Sequence, residues 1–149
     1  MENTDCAYLA AFLDTDGWIT IVPRNNRTTY GPIVGIVNRH KPVLEWVASL
    51  VGGSIKPRNI SRKAPYARNW SQTYDLNFRV GEISNVIKLV LPYLRIKRRQ
   101  AELVLELLET TQDRTKEYRL PLETRIRREE MYQEIRQLNH AGLSPTLFV

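Results

Sequence analysis

Cysteine is nearly absent. Cys6 is the single one in 149 residues, so no intramolecular disulfide framework can form, and the composition suits a reducing compartment. Cys6 itself reads as a small buried hydrophobe. Histidine is almost as scarce: with only His40 and His140 beside one thiol, a structural zinc site lacks ligands. Apolar runs are short, none approaching the roughly 20 residues that span a bilayer. The N-terminal stretch carries Glu2 and Asp5 rather than a basic apolar leader, so neither a secretory nor a transit peptide is expected. Internal repeats and low-complexity segments are absent too.

What remains is the composition of a soluble globular domain, with 42% hydrophobic and 26% charged residues. The length allows a real core. The formal charge is +6, and its placement matters more than its size. Between Arg24 and Arg79 stand ten Lys or Arg and two acids, Glu45 and Asp75; the rest of the chain holds twelve basic and fourteen acidic residues. A block of +8 inside an otherwise balanced chain is the electrostatic footprint of a polyanion partner, against the plainer reading of a solvated basic face.

The stretch Leu9-Ala10-Ala11-Phe12-Leu13-Asp14-Thr15-Asp16-Gly17 is an apolar helical run ending on two carboxylates and a glycine. Asn3 or Thr4 can cap its start, and Gly17 can supply a left-handed residue at its end. Asp16 then lies at the negative end of the macrodipole, where a carboxylate is disfavoured unless a cation offsets it. Such a conflict with the local rule points to function, although Asp-x-Asp-Gly is often only a turn.

A strand is expected over 18–23, with Ile19 and Ile21 on one face and Trp18, Thr20 and Val22 on the other. It returns through a second strand, 30–37, to make a hairpin. A helix follows from Pro42, with Val43, Val47, Leu50 and Val51 inward, and Gly52-Gly53 stops it. A third strand runs through Ser54 to Arg58, and 59–72 is a long basic loop. Tyr74 to Val80 alternates most clearly: Tyr74, Leu76, Phe78 and Val80 face one way, Asp75, Asn77 and Arg79 the other. Residues 82–91 form a helix with Ile83, Val86, Ile87 and Val90 inward, ended by Pro92. Arg95-Ile96-Lys97-Arg98-Arg99 opens another, carrying Leu103, Val104, Leu107 and Leu108. Cations in the first turn oppose the dipole, and an external negative charge is the simplest explanation, although a lone basic cluster is more often a solvated face. A last amphipathic helix starts at Pro121 and packs through Ile126, Met131, Ile135 and Leu138.

Helix, Asp-x-Asp-Gly, two hairpins and a basic lead into a later helix together resemble the LAGLIDADG homing endonuclease family. Leu9 to Gly17 match the signature. Leu91-Pro92-Tyr93-Leu94-Arg95-Ile96-Lys97-Arg98-Arg99-Gln100-Ala101 is a second match at the right separation. The resemblance implies an α+β, αββαββα homing-endonuclease fold: an antiparallel, saddle-shaped sheet with a C-terminal helical tail. It places the endonuclease core at residues 1–110 and makes 111–149 a helical extension of the same domain.

The family occurs as single chains with two motifs or as homodimers with one. One Asp-x-Asp-Gly therefore implies a homodimer, with Ala11, Asp14 and Thr15 at the helix contact. By likeness, Asp16 with the Thr15 carbonyl binds a divalent metal, Mg²⁺ or else Mn²⁺, near the scissile phosphates. Lys97 matches the family's basic residue near the reaction, and Asn38 and Arg39 fall where it carries a supporting polar group. The polar sheet face would read double-stranded DNA through Arg24, Asn26, Thr28, Lys56, Arg58, Asp75, Asn77 and Arg79. Val34 and Ile36 would meet thymine methyls, and Arg62, Lys63 and Arg68 phosphates.

The implied activity is site-specific double-strand cleavage for intron homing. Long pseudo-palindromic sites would be cut by metal-dependent phosphodiester hydrolysis, leaving 3′ overhangs. The compartment would be a prokaryotic cytoplasm or the organelle that encodes the chain, with no membrane partner. Two alternatives stand beside it. One is a non-cleaving maturase bound to intron RNA, or a DNA-binding regulator, on the same fold. The other is a haloacid-dehalogenase-like phosphatase with Asp14 as nucleophile and Asp16 as acid, which requires the motif to end a buried strand.

Overall fold

The structure is a computed structural model, which describes residues 1–25, 29–58, 71–110 and 120–141. Among these the order is α1 (Asn3–Asp16), β1 (Gly17–Arg24), β2 (Thr29–Asn38), α2 (Lys41–Val51), β3 (Ser54–Pro57), β4 (Tyr74–Asn77), α3 (Val80–Val90), α4 (Arg98–Glu109) and α5 (Leu122–Ala141). The four strands form one antiparallel sheet in the order β1-β2-β4-β3. The fold is α+β, with the αββαββα succession followed by two further helices. No helix among the described residues is long and apolar enough to cross a membrane.

The chain divides into two compact units. The first is Met1–Trp18 with Val34–Leu94; the second is Ile19–Ile33 with Arg95–Val149.

In the first unit, α1 buries Cys6, Leu9, Ala10, Leu13 and Asp14, the i, i+3, i+4, i+7, i+8 stripe of an amphipathic helix. It packs on α3, whose Ile83, Val86, Ile87 and Val90 are all fully buried as the periodicity predicts. Helix α2 packs on α3 and on β3 and β4. Its buried stripe is Leu44, Val47 and Val51; Val43 and Leu50, expected inward, are half-buried. Gly52 and Gly53, with φ of 87° and 110°, end it in a backbone region that favours glycine.

Several local expectations need correction. The N-cap of α1 is Glu2, not Asn3 or Thr4, and its N–H donates to Asp5 Oδ2 at 3.2 Å. Gly17 is extended, with φ −104° and ψ 173°, and not left-handed. It is needed for closeness instead: a Cβ there would lie 2.6 Å from Leu13 Cα and 2.9 Å from Gly35 O. The alternation of β4 stops at Asn77, because Arg79 becomes the N-cap of α3, with its N–H donating to Glu82 Oε2 at 2.8 Å. Val80 accordingly begins the helix and is exposed.

In the second unit, α4 packs on α5, burying Leu103, Val104 and Leu107 beside Met131 and Ile135. Ile126, expected inward, is exposed, and Arg128 is 3% exposed in the same helix. Its guanidinium donates to Thr110 Oγ1 at 2.9 Å and Thr110 O at 2.8 Å, satisfying a carbonyl at the end of α4. A buried polar group with such partners leaves no trace in the apolar periodicity. Helix α4 starts at Arg98, later than expected. Arg98 and Arg99 pair with Glu102 at 3.7 and 3.5 Å, and Arg99 with Glu134 at 2.6 Å. Acids of the chain itself therefore offset two of these cations, which need no outside charge.

Arg127 grips Glu106 with two bonds of 2.8 Å, and that bidentate contact holds the Glu106 carboxyl below its ordinary 4.5. A depressed folded value contributes stability that is complete above about pH 4.5 and drains away as pH falls through the lowered value. The Glu106→Gln variant should lose this dependence. Its urea midpoint should differ from that of the unmodified chain by a constant from about pH 6 to 8, and by less at about pH 3. A gap that widened on acidification would contradict the pairing.

Candidate active site and nucleic-acid interface

Asp16 closes α1, and Gly17, the next residue, already belongs to β1. The motif therefore ends a helix, which removes the phosphatase reading with its requirement for a strand. The Asp16 side chain is exposed, and its Oδ2 accepts from Asn38 Nδ2 at 3.3 Å. Asn38 ends β2, and its Oδ1 accepts from the His40 N–H at 2.8 Å. Because His40 N can only donate, it fixes which end of the amide is oxygen, and the NH₂ is thereby turned to Asp16.

Three neighbours on α1 differ in placement. Thr15 and Ala11 are exposed, with Thr15 Oγ1 donating to Ala11 O at 2.8 Å. Asp14, grouped with them from the sequence, points the other way and is 9% exposed. Thr4 and Tyr8 are also exposed, so Thr4, Tyr8, Ala11 and Thr15 form one open stripe at alternating four- and three-residue spacing. Arg39 does not join Asp16; its Nη2 donates to Ser71 Oγ. Lys97 belongs to the second unit, where it is the half-buried N-cap of α4 and its carbonyl accepts from Ala101 N at 3.0 Å.

Among the described residues no three His, Cys, Asp or Glu side chains gather to hold an ion. What the end of α1 does offer is one exposed carboxylate at the negative pole of a helix, with the carbonyls of its last turn. Mg²⁺ is ordinarily held by one or two carboxylates with water and substrate phosphates filling the remaining positions. That donor set fits a hard cation whose coordination is completed by substrate.

The sheet pairs place the polar face. Ile36, Leu76 and Ile55 lie side by side across β2, β4 and β3. Leu76 and Ile36 are fully buried, as is Val34 on the same face, so Val34 and Ile36 cannot meet thymine methyls. That parity assignment was one residue out, and Ile33 and Val37 take the opposite face. The open rows are Gly35, Asn77 and Ser54, and Val37, Asp75 and Lys56. Arg58 continues the parity of Lys56, and Arg24 that of Thr20 and Val22. Arg79 has left the strand register. Asn26, Thr28, Arg62, Lys63 and Arg68 lie outside the described residues.

Two glycines of β2 act as floors on this face. A Cβ on Gly35 would collide with the indole of Trp18, and one on Gly31 with the Arg24 side chain. Arg58 stands 5.8 Å from the Trp18 ring centroid, and its Nε donates to Asp75 Oδ1 at 2.9 Å. Trp18 joins these residues on the open face, where alternation placed it without giving it a role. An aromatic side chain beside Asp-x-Asp-Gly, opposite a glycine, was the available signal.

No family model and no curated protein matches the chain. Solved structures do. The homing endonuclease I-CvuI, in complex with its target and Ca, superposes with a TM-score of 0.69 at 20% identity, over 91% of this chain and 82% of that one. The archaeal intron-encoded homing endonuclease I-Vdi141I, complexed with DNA, gives 0.67 at 16% identity, over 93% and 86%. The LAGLIDADG homing endonuclease I-GzeII, in complex with its DNA target, gives 0.58 at 19% identity, with 89% of this chain covering 43% of that one. The order of helices and strands, the helix-ending Asp-x-Asp-Gly and these superpositions agree: the chain has the fold of the LAGLIDADG homing endonucleases.

Proposed function

We propose that the chain is a site-specific double-strand DNA endonuclease of the intron-homing kind, working as a homodimer with a divalent metal, Mg²⁺ or Mn²⁺. The observation that carries the reading is Asp16: an exposed carboxylate at a helix C-terminus, held by Asn38, beside a sheet face lined with Arg and Asn. One chain supplies one such carboxylate. The open stripe Thr4, Tyr8, Ala11, Thr15 has the spacing with which two helices mesh, and Ala11 and Thr15 are small enough for close approach. A two-fold pairing along α1 brings two Asp16 carboxylates together. The match to 43% of the length of I-GzeII fits a chain that supplies one of two halves.

When bound, the metal neutralises phosphate charge and activates water for hydrolysis. The chain's own residues position it. Asn38 directs the Asp16 carboxylate, and by likeness to the family Lys97 would supply a cation for the charge developing on the phosphate. Lys56, Arg58, Arg24 and Asn77 approach base edges, with Arg62, Lys63 and Arg68 on the backbone. The two strands are then cut to leave 3′ overhangs. Incubation with a plasmid carrying a candidate insertion site, with and without Mg²⁺, tests this: linear product is expected only with the metal. Binding without cleavage, on every metal tried, would favour the regulator or maturase reading instead. Affinity should also be salt-sensitive, since neutralised phosphates release counterions. With about six phosphates engaged, log K against log salt should slope by roughly −5. A flat line would refute the DNA-facing assignment of the basic segment.

A further inference from the structure

Arg58 and Asp75 form an ion pair on the open sheet face, and its purpose is not stability. Their side chains are 47% and 24% exposed, and partly exposed pairs contribute little to folding. Asp75 is also an unexpected residue to present to a polyanion. Its geometry gives it a use. Asp75 Oδ1 takes the Nε–H of Arg58, the edge nearest the stem, at 2.9 Å. The Trp18 ring, seated over Gly35, stands 5.8 Å from the same guanidinium. A planar five-donor group engaged at Nε and flanked by an indole has lost most of its rotamer freedom before any ligand arrives. What remains for a ligand is the far end of the fork, Nη1 and Nη2. Two parallel N–H donors match O6 and N7 of guanine in the major groove, and match no other base edge there.

We propose that Arg58 reads one guanine in each half of the DNA target, with Asp75 and Trp18 as positioning residues that hold its fork for that base. The assignment rests on the reading of the chain as a sequence-specific DNA-binding enzyme. Asp75 here acts through Arg58 and does not read a base of its own. Lys56, its cross-strand neighbour, is a flexible point charge and carries no comparable constraint.

The test is selection from a pool of randomised DNA duplexes with the full-length chain, followed by Kd measurements on the selected duplex and its single-base variants. The unmodified chain should select guanine at one position per half-site, preferring it about 10- to 100-fold. The Arg58→Lys variant keeps the charge but loses the fork, and should lose the preference at that position alone. The Asp75→Asn variant should reduce it about five- to tenfold without moving any other position. Uniform weakening across all positions in Arg58→Lys would make Arg58 a phosphate contact and overturn the proposal. An unchanged preference in Asp75→Asn would overturn the positioning role. If the unmodified chain selects no sequence, the sequence-specific reading itself fails, and this assignment with it.

Discussion

The Asp16→Asn variant should bind DNA as well as the unmodified chain and cut it about 10³-fold more slowly, as expected for removing several kcal/mol of transition-state stabilisation. The substitution is nearly isosteric. Its amide oxygen can still accept from Asn38 Nδ2, so the local hydrogen bond at 3.3 Å survives. The side chain is exposed, and no buried partner is orphaned. What disappears is one negative charge at the negative pole of α1, and with it the best donor for a divalent cation. Affinity should rise slightly, because a carboxylate no longer faces phosphate. Plasmid linearisation over time and a gel-shift titration on the same duplex separate the two quantities. Equal losses of binding and cleavage would assign Asp16 to affinity or to the fold.

The second large effect is on stability. Gly17→Ala should cost about 2–3 kcal/mol, the upper part of the range for overpacking. The backbone at Gly17 is ordinary extended chain, so the cost is steric and not conformational. The added methyl would stand 2.6 Å from Leu13 Cα, 2.8 Å from Leu13 O and 2.9 Å from Gly35 O. All three are backbone atoms, which cannot swing away as a side chain tip would. A fall in Tm of roughly 5–10 °C is expected. Gly81→Ala is the control: nothing lies within 4 Å of its added methyl, and the site is inside α3. There the same substitution should stabilise by about 0.5–1 kcal/mol. If both variants melted like the unmodified chain, α1 and β2 would not be packed as closely as described.

The elements were legible because each has one wet side and one dry side. Ile83, Val86, Ile87 and Val90 recur at helical spacing and are all fully buried. Ile19 and Ile21 alternate with Trp18, Thr20 and Val22 and are likewise buried. Reading failed where both sides of a segment are apolar. Residues 32–37 carry Ile33, Val34, Ile36 and Val37, so parity cannot tell the core face from the open one; only pairing with Leu76 decides it. It failed again at boundaries set by contacts outside the strand pattern. Val80 continues that pattern, yet the Arg79 N–H is claimed by Glu82 and the helix starts early. Arg128 was invisible because its partner is a carbonyl eighteen residues away. In the site, Asp16 stood out as a charge at the wrong end of a helix. Asn38 could be placed only through its family position, because its bond to Asp16 joins the ends of two separate elements.

Asp16, Gly17 and Trp18 are consecutive, and each serves a separate purpose through its carboxylate, its missing side chain and its indole beside Arg58. No connecting loop separates the first from the third. Retargeting this protein is therefore not a matter of exchanging side chains on an inert platform. A change that tilts Trp18 to suit a new base pulls on a backbone with no slack at Gly17, the residue next to the carboxylate. If Arg58 reads a base as proposed, engineers altering that base would be selecting, in the same step, for where Asp16 sits. Substitutions at Lys56 or Asn77, on strands remote in sequence from the motif, are the more independent handles.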